Sequence, residues 1–253
     1  MRMADVGLEF DSGVAVLTLE NEARRNALTP ELAALLAAAC DEVDSRPEIG
    51  AAVIRGARGT FCSGADTALF SPSVDWNAEG AELLGAIYAG FARVKRLTVP
   101  SVAAVRGAAV GAGMNLLAST DLRIVAEDAR MIGGFLDIGL HPGGGFISLM
   151  GGLAGPQTAA ALALFGERCT GTEAVRLGIA WAAFPDDEVE PRALELAARA
   201  ARDPELARRV TRSLRQELGP PALAWEAALE LERGSQIWSL HRRAASAAPP
   251  ERA

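Results

Sequence analysis

Lysine is nearly absent from this chain: Lys95 is the only one, and the rest of the positive charge is arginine. The formal net charge is -7. An acidic chain lacks the basic surface that nucleic acid requires, so no nucleic-acid partner is expected. Arginine forks fit phosphate and carboxylate, which keeps local anion sites compatible with the acidic total. Cysteine is scarce too. Cys40, Cys62 and Cys169 have no metal-type spacing, and any disulfide would leave one over. Reduced thiols in a cytoplasmic protein, with no metal, are the expectation. No stretch reaches the roughly 20 apolar residues of a membrane span without Gly, Pro or charge breaking it. No long apolar run follows the arginine of MRMADVGLEFDSG, so neither a membrane segment nor a signal peptide is expected.

What is present is core. Half of the 253 residues are apolar, enough for one α/β domain with or without a small appendage. Residues Val6–Phe10 and Val14–Glu20 are β-prone and meet at Asp11-Ser12-Gly13, which predicts a hairpin. Thr29-Pro30-Glu31 supplies an N-cap, a first-turn proline and an early acid for a helix to about Asp44. Ala51–Gly56 and Ser101–Arg106 are apolar runs of strand length, suited to a sheet buried on both faces. A second helix is predicted over about Ala78–Leu97, a third over Met114–Thr120, and a strand over Leu122–Ala126. Nine glycines between Gly133 and Gly155 argue against a long regular element there. Past Pro156 the pattern is almost wholly helical, ending in an Ala/Pro-rich tail after Arg243. No internal repeat is visible. Strand–helix alternation followed by helices predicts an α/β core with an α-helical appendage.

Two small-residue loops follow predicted buried strands: Phe61-Cys62-Ser63-Gly64-Ala65-Asp66, and Gly107 to Asn115, which runs into a helix. Small residues let a ligand approach the backbone. A glycine-rich turn opening a helix presents unpaired N–H groups, suited to an oxygen gaining negative charge. Either loop alone reads most simply as a tight turn between packed elements. Both together, in this order, favour a binding site.

The segments FCSGAD and RGAAVGAGMNLLASTDLRIVAEDARM resemble the two signature regions of the crotonase (enoyl-CoA hydratase/isomerase) superfamily. RRNALTPEL, DIGLHPGGG and GERCTGTEAVRLGIAW are similar to its neighbouring stretches. The likeness runs from about Gly13 to Trp181. It implies a crotonase-like spiral of ββα repeats over residues 1–195, carrying the acyl-CoA site, and a C-terminal helical trimerisation region over 196–253. It further implies a homotrimer or dimer of trimers, and a coenzyme A thioester as substrate rather than a covalently bound cofactor. By position, the oxyanion donors fall on the amides of Ala65 and Ala112, each such donor being worth on the order of 10²–10³ in rate. Many relatives have glycine where Ala112 stands, but a backbone donor tolerates the change. Arg24, Ala27, Ser63 and Asp66 fall on the CoA side of the site, beside Arg25, Asn26 and Leu28. Arg208, Arg212 and Arg215 share one helical face; a solvated face is preferred there to a CoA phosphate contact.

The departures from the pattern concern the acids. Where hydratases of the family carry two glutamates, this chain has Asn115 and Phe135. The third acid position, used by some isomerases and dehalogenases, is Gly143. An asparagine can hold a water but cannot exchange a proton with it at neutral pH. Two substitutes lie nearby: Asp137, expected to point the same way as Phe135 if the segment is extended, and His141, able to titrate near neutrality. A capping carboxylate and a turn-lining histidine are the plainer expectations for both. Cys62 is expected as a buried thiol, and Trp76, Tyr88 and Trp181 as packing or pocket lining. Three functions remain open: hydration or isomerisation of an enoyl-CoA, decarboxylation or C–C cleavage of a CoA ester, and acyl-CoA binding without catalysis.

Overall fold

The computed structural model describes residues 4–70 and 78–219. The hairpin is present: β1 (Asp5–Asp11) and β2 (Val14–Glu20) pair antiparallel through a turn in which Ser12 and Gly13 both have positive φ. Helix α1 (Pro30–Ser45) starts where expected, with Thr29 Oγ1 accepting from Leu32 N and proline in the first turn. Strand β3 (Ala51–Gly56) follows, then helix α2 (Ala78–Lys95), β4 (Ser101–Val105), β5 (Ala108–Val110), α3 (Ala112–Ala118), β6 (Leu122–Ala126) and β7 (Arg130–Ile132). The remainder is α4 (Phe146–Leu164), β8 (Arg168–Cys169), α5 (Gly171–Arg176), β9 (Ala182–Phe184), α6 (Val189–Ala200) and α7 (Pro204–Leu218).

A six-stranded sheet runs β1-β2-β3-β4-β6-β9, parallel throughout except for the hairpin pair. The apolar runs bury both faces by strict alternation. Leu17, Leu19, Ile54, Val105 and Val125 face the larger core, under α1, α2, α3 and α4. Val14, Val16, Val53, Val102 and Ile124 face the other way, where α6 covers them with Val189, Ala193 and Ala197. A second, three-stranded layer runs β5-β7-β8, extended by a parallel bridge between Cys62 and Ala109. The chain therefore climbs in turns of long strand, short strand and helix: β3–Cys62–α2, then β4–β5–α3, then β6–β7. This is an α/β crotonase-type spiral, although no repeat is legible in the sequence.

Several expectations are corrected. The glycine-rich stretch from 133 to 155 does contain the start of a long helix, α4, which tolerates Gly151 and Gly152 and kinks at Gly155 (φ 80°). A helical glycine costs only about 1 kcal/mol, which apolar packing offsets. Phe146, Met150, Leu162 and Ala163 of α4 are buried. By length and composition α4 would cross a membrane, yet those four side chains are in the protein's own core. Short strands β8 and β9 interrupt what reads as helix after Pro156, and β5 lies inside what reads as a glycine loop. The boundary placed between 195 and 196 falls inside α6, whose Ala193 and Ala197 pack on the sheet. The tail after Arg243, with all of 220–253, lies outside the described residues, as does Trp76.

Of the late arginines, Arg212 is exposed, as expected of a solvated face, whereas Arg208 and Arg215 are held within the protein. Arg208 donates to Thr98 Oγ1, to Val43 O (3.3 Å) and to Arg46 O (2.8 Å). Arg215 forks onto Asp121 (2.7 Å to Oδ2) and donates to Leu97 O. These contacts fasten α7 to the body of the fold.

Candidate active site

The two loops are laced together by backbone. Phe61 N donates to Arg106 O, Cys62 N to Ala108 O and Val110 N to Cys62 O, at 2.9, 3.1 and 3.0 Å. On its other side the first loop meets the segment after β2: Leu28 N donates to Gly64 O (2.7 Å) and Asp66 N to Leu28 O (2.9 Å). In this parallel bridge the residues flanking Ala65 spend their groups on Leu28. The N–H of Ala65 therefore faces the opposite way, into the space beside the second loop.

The second loop turns at Gly111 (φ 48°, ψ -111°), whose N–H is held by Ile132 O at 2.9 Å. Ala112 is the first residue of α3, so its N–H has no partner within the helix. Gly64 (φ +105°) lets the loops approach. A Cβ there would sit 2.9 Å from Val110 O and 3.9 Å from Ala112 N. Both amides, Ala65 and Ala112, thus border one space.

That space is a cavity of about 470 Å³. Ser63, Ala65, Ala112, Asn115, Phe135 and His141 all line it. Its apolar wall comes largely from α2, where Leu84, Ile87, Tyr88 and Phe91 project at helical spacing. Sequence reasoning singled out Tyr88 but missed the other three, although their i, i+3, i+4, i+7 spacing was legible. Among the described residues, no carboxylate lines the cavity.

Asn115 is 1% exposed. Its Nδ2 donates to Gly143 O (3.0 Å) and Gly144 O (2.8 Å). Those two acceptors fix the amide orientation, because the reverse would set oxygen against oxygen. Oδ1 is left buried without a partner. Phe135 packs edge-on against Phe146 with centroids 4.9 Å apart, and it puts an aromatic ring in the cavity wall. At Gly143 a Cβ would collide with Tyr88 Oη.

Asp137 does not line the cavity. The segment is not extended: Phe135 caps a 3₁₀ turn over Leu136–Ile138, so alternate residues diverge. Asp137 is exposed, bonded to Arg168 Nη2 at 2.9 Å, and outside the cavity lining. His141 lines the cavity from an exposed position. Its Nδ1 lies 2.7 Å from Pro142 O. A carbonyl only accepts, so Nδ1 carries hydrogen and Nε2 is the nitrogen left for a ligand.

Beside the first loop, Asn26 proves central. It holds positive φ, donates to Ala57 O and Thr60 O, and accepts from Asn21 N through Oδ1. The stretch from Arg24 to Ala27 is pinned thereby, with Ala27 buried. Ser63 Oγ donates to Arg24 O (2.8 Å). Arg24 forms an ion pair with Asp66, while its side chain stays 43% exposed. Trp181 lies outside the cavity lining and is 67% exposed. Burial pushes the Cys62 thiol up to about 12, which suits a packed thiol and not a nucleophile. Among the described residues no group of three or more His, Cys, Asp or Glu side chains could hold a metal ion.

The geometry agrees with known proteins. The enoyl-CoA hydratase/isomerase family profile matches residues 9–242. The "Probable enoyl-CoA hydratase EchA14" of Mycobacterium tuberculosis (strain ATCC 25618 / H37Rv) is 40% identical over 239 residues, covering 92% of this chain and 91% of the relative. A Thermobifida fusca YX structure in complex with CoA superposes with a TM-score of 0.83 at 28% identity, over 96% of this chain and 95% of that one. Another from Thermobifida fusca YX, in complex with acetoacetyl-CoA, gives 0.82 at 27% identity, over 94% and 96%. The chain belongs to the enoyl-CoA hydratase/isomerase family of the crotonase superfamily.

Proposed function

We propose that this protein is an enzyme that binds an acyl-CoA thioester with its carbonyl oxygen between the amides of Ala65 and Ala112 and stabilises the enolate formed from it. One observation carries the reading. Two laced loops present those amides to one largely apolar cavity, held open by glycine where any Cβ would crowd the second loop. The solved relatives with CoA and acetoacetyl-CoA bound support the ligand class. Arg24, Ala27, Ser63 and Asp66 would border the CoA moiety, with Arg24 exposed enough to exchange its carboxylate partner for a phosphate.

The reaction this favours is addition of water to, or a double-bond shift in, an unsaturated acyl group. The missing glutamates set its difficulty: acid–base assistance is typically worth about 10²–10⁴ per group. A second reading rests on Phe135, which puts a ring where an acid would act: the protein holds acyl-CoA without turning it over. Decarboxylation, with Nε2 of His141 delivering the proton to the enolate, needs no acid in the cavity and is the third arm of the test.

Loss of the conjugated thioester absorbance of short- and medium-chain trans-2-enoyl-CoA, at high protein concentration, tests this directly. Turnover supports the hydratase reading. Without turnover, a titration with saturated acyl-CoA and an assay of a carboxyacyl-CoA separate binding from decarboxylation, and no binding at all would end the proposal.

A further inference from the structure

The cavity contains a proton-carrying group that the pattern of missing acids conceals. We propose that Tyr88 Oη is a catalytic residue of this site, the group that moves the proton at the acyl chain, with Asn115 Oδ1 as the acceptor that holds the attacking water. This rests on the reading that a thioester occupies the cavity.

Among the described residues, the titratable side chains lining the cavity are Tyr88 and His141. His141 is exposed and has one nitrogen committed to Pro142 O. Tyr88 stands on the wall built by α2, its ring tilted against Phe91 at 5.6 Å. The hydroxyl occupies the volume that a side chain at position 143 would take. Glycine at 143 and tyrosine at 88 are therefore one arrangement: the acid-bearing position is emptied and a phenol enters from the facing helix.

Asn115 approaches the same 143–144 turn from α3. A Cβ at Gly144 would lie 2.6 Å from Phe91 Cζ and 2.8 Å from Asn115 Nδ2. Tyr88, Phe91 and Asn115 thus converge on two consecutive residues. With its Nδ2 spent on the turn, Asn115 keeps Oδ1 buried and unpaired. A buried acceptor without a donor is unfavourable and calls for a ligand that supplies one. A water or a substrate hydroxyl does so.

The step balances without any further reactant. Water donates one hydrogen bond to Asn115 Oδ1, and its oxygen bonds to Cβ of the enoyl group. The Cα–Cβ π pair moves toward the carbonyl, giving an enolate oxygen at the amides of Ala65 and Ala112. Tyr88 gives its phenolic proton to Cα, the enolate pair forms the C–H bond and the C=O is restored. Tyr88 then takes a proton from the added water. A phenol both donates and accepts, so it ends as it began.

Tyr88 is the only tyrosine in the chain, which makes the test selective. The measurement is exchange of the Cα hydrogens of butanoyl-CoA into D₂O, followed by NMR, beside calorimetric binding of the same ligand. The expected result is that Tyr88→Phe lowers exchange on the order of 10²–10⁴-fold and leaves affinity within about threefold. His141→Gln is the competing variant, since His141 lines the same cavity, and exchange that depends on Tyr88 falls further on Tyr88→Phe than on His141→Gln. Uniform replacement of tyrosine by 3,5-difluorotyrosine alters this phenol alone and should move the alkaline limb of the exchange-rate profile to lower pH. That second measurement decides the matter if Tyr88→Phe does not fold. The proposal is overturned by exchange that survives Tyr88→Phe, by a limb that does not move, by loss on His141→Gln instead, or by a wild-type protein that binds without exchanging. A wild-type protein that does not bind butanoyl-CoA overturns the site reading itself.

Discussion

At the scale of single residues, the site depends on what is absent from side chains as much as on what they carry. Gly64 combines φ +105° with a would-be Cβ contact of 2.9 Å to a backbone carbonyl. Gly64→Ala should therefore cost about 1–3 kcal/mol in local strain and move the Ala65 amide. The expected outcome is a folded protein by circular dichroism that has lost most acyl-CoA affinity. Unchanged affinity would show that the loop does not position the ligand. The three thiols offer a separate check. Burial pushes Cys40 and Cys62 up to about 12 and Cys169 to about 11, so native protein should resist iodoacetamide at pH 8 and react fully once unfolded. The sign of the pH dependence follows. Folded thiols keep protons that unfolded ones lose above 9, so this contribution is whole below pH 9 and is lost as pH rises toward the folded values. Between pH 9 and 10 the loss approaches about 1.4 kcal/mol per pH unit for each of Cys40 and Cys62. Urea unfolding at pH 8 and 10 measures it, and an equal midpoint at both would contradict it. Gly64, Ala65, Ala112 and Asn115 were all legible from the motif order. Asn26 was named only as a neighbour, because nothing local announces that its amide spans 31 residues to Ala57 and 34 to Thr60.

At the scale of elements, legibility followed length and caps. Helix α1 carries its start signal in Thr29-Pro30, and the apolar runs of β3 and β4 have the length and composition of buried strands. The short strands β5, β8 and β9 have two or three residues each, too few for a period, and they exist because neighbours pair with them. The 3₁₀ turn after Phe135 was missed for the same reason, and it removes the extended segment on which Asp137 as a substitute acid depended. Helix α7 shows charge misread as solvent contact. Its Arg215 reaches Asp121 and two carbonyls, Leu97 O and Val99 O. Because hydrogen bonds to charged groups contribute about 1.5–3 kcal/mol, Arg215→Leu should lower stability by roughly 2 kcal/mol in chemical denaturation. Acyl-CoA affinity should stay within about threefold. A large loss of affinity with normal stability would restore the phosphate-contact reading that the structure sets aside.

At the scale of the whole molecule, apolar side chains remain uncovered in the described chain. Phe165 is 78% exposed, and Leu164, Ile138, Leu136 and Trp181 are each more than half exposed. Exposed groups of this size mark contact surfaces, and the trimer or dimer of trimers that the family resemblance implies would cover them. Light scattering after gel filtration should therefore give at least three times the 26.4 kDa chain mass. A monomer would leave those side chains without a purpose in this account. The central claim, however, concerns one carbonyl and two amides. Isotope-edited infrared difference spectra of butanoyl-CoA, labelled with ¹³C at the thioester carbonyl, test it most directly. Hydrogen bonding from Ala65 and Ala112 polarises the C=O, so the band should move to lower wavenumber on binding, and Gly64→Ala should abolish the shift. A bound ligand whose carbonyl band stays at its position in water would contradict the account.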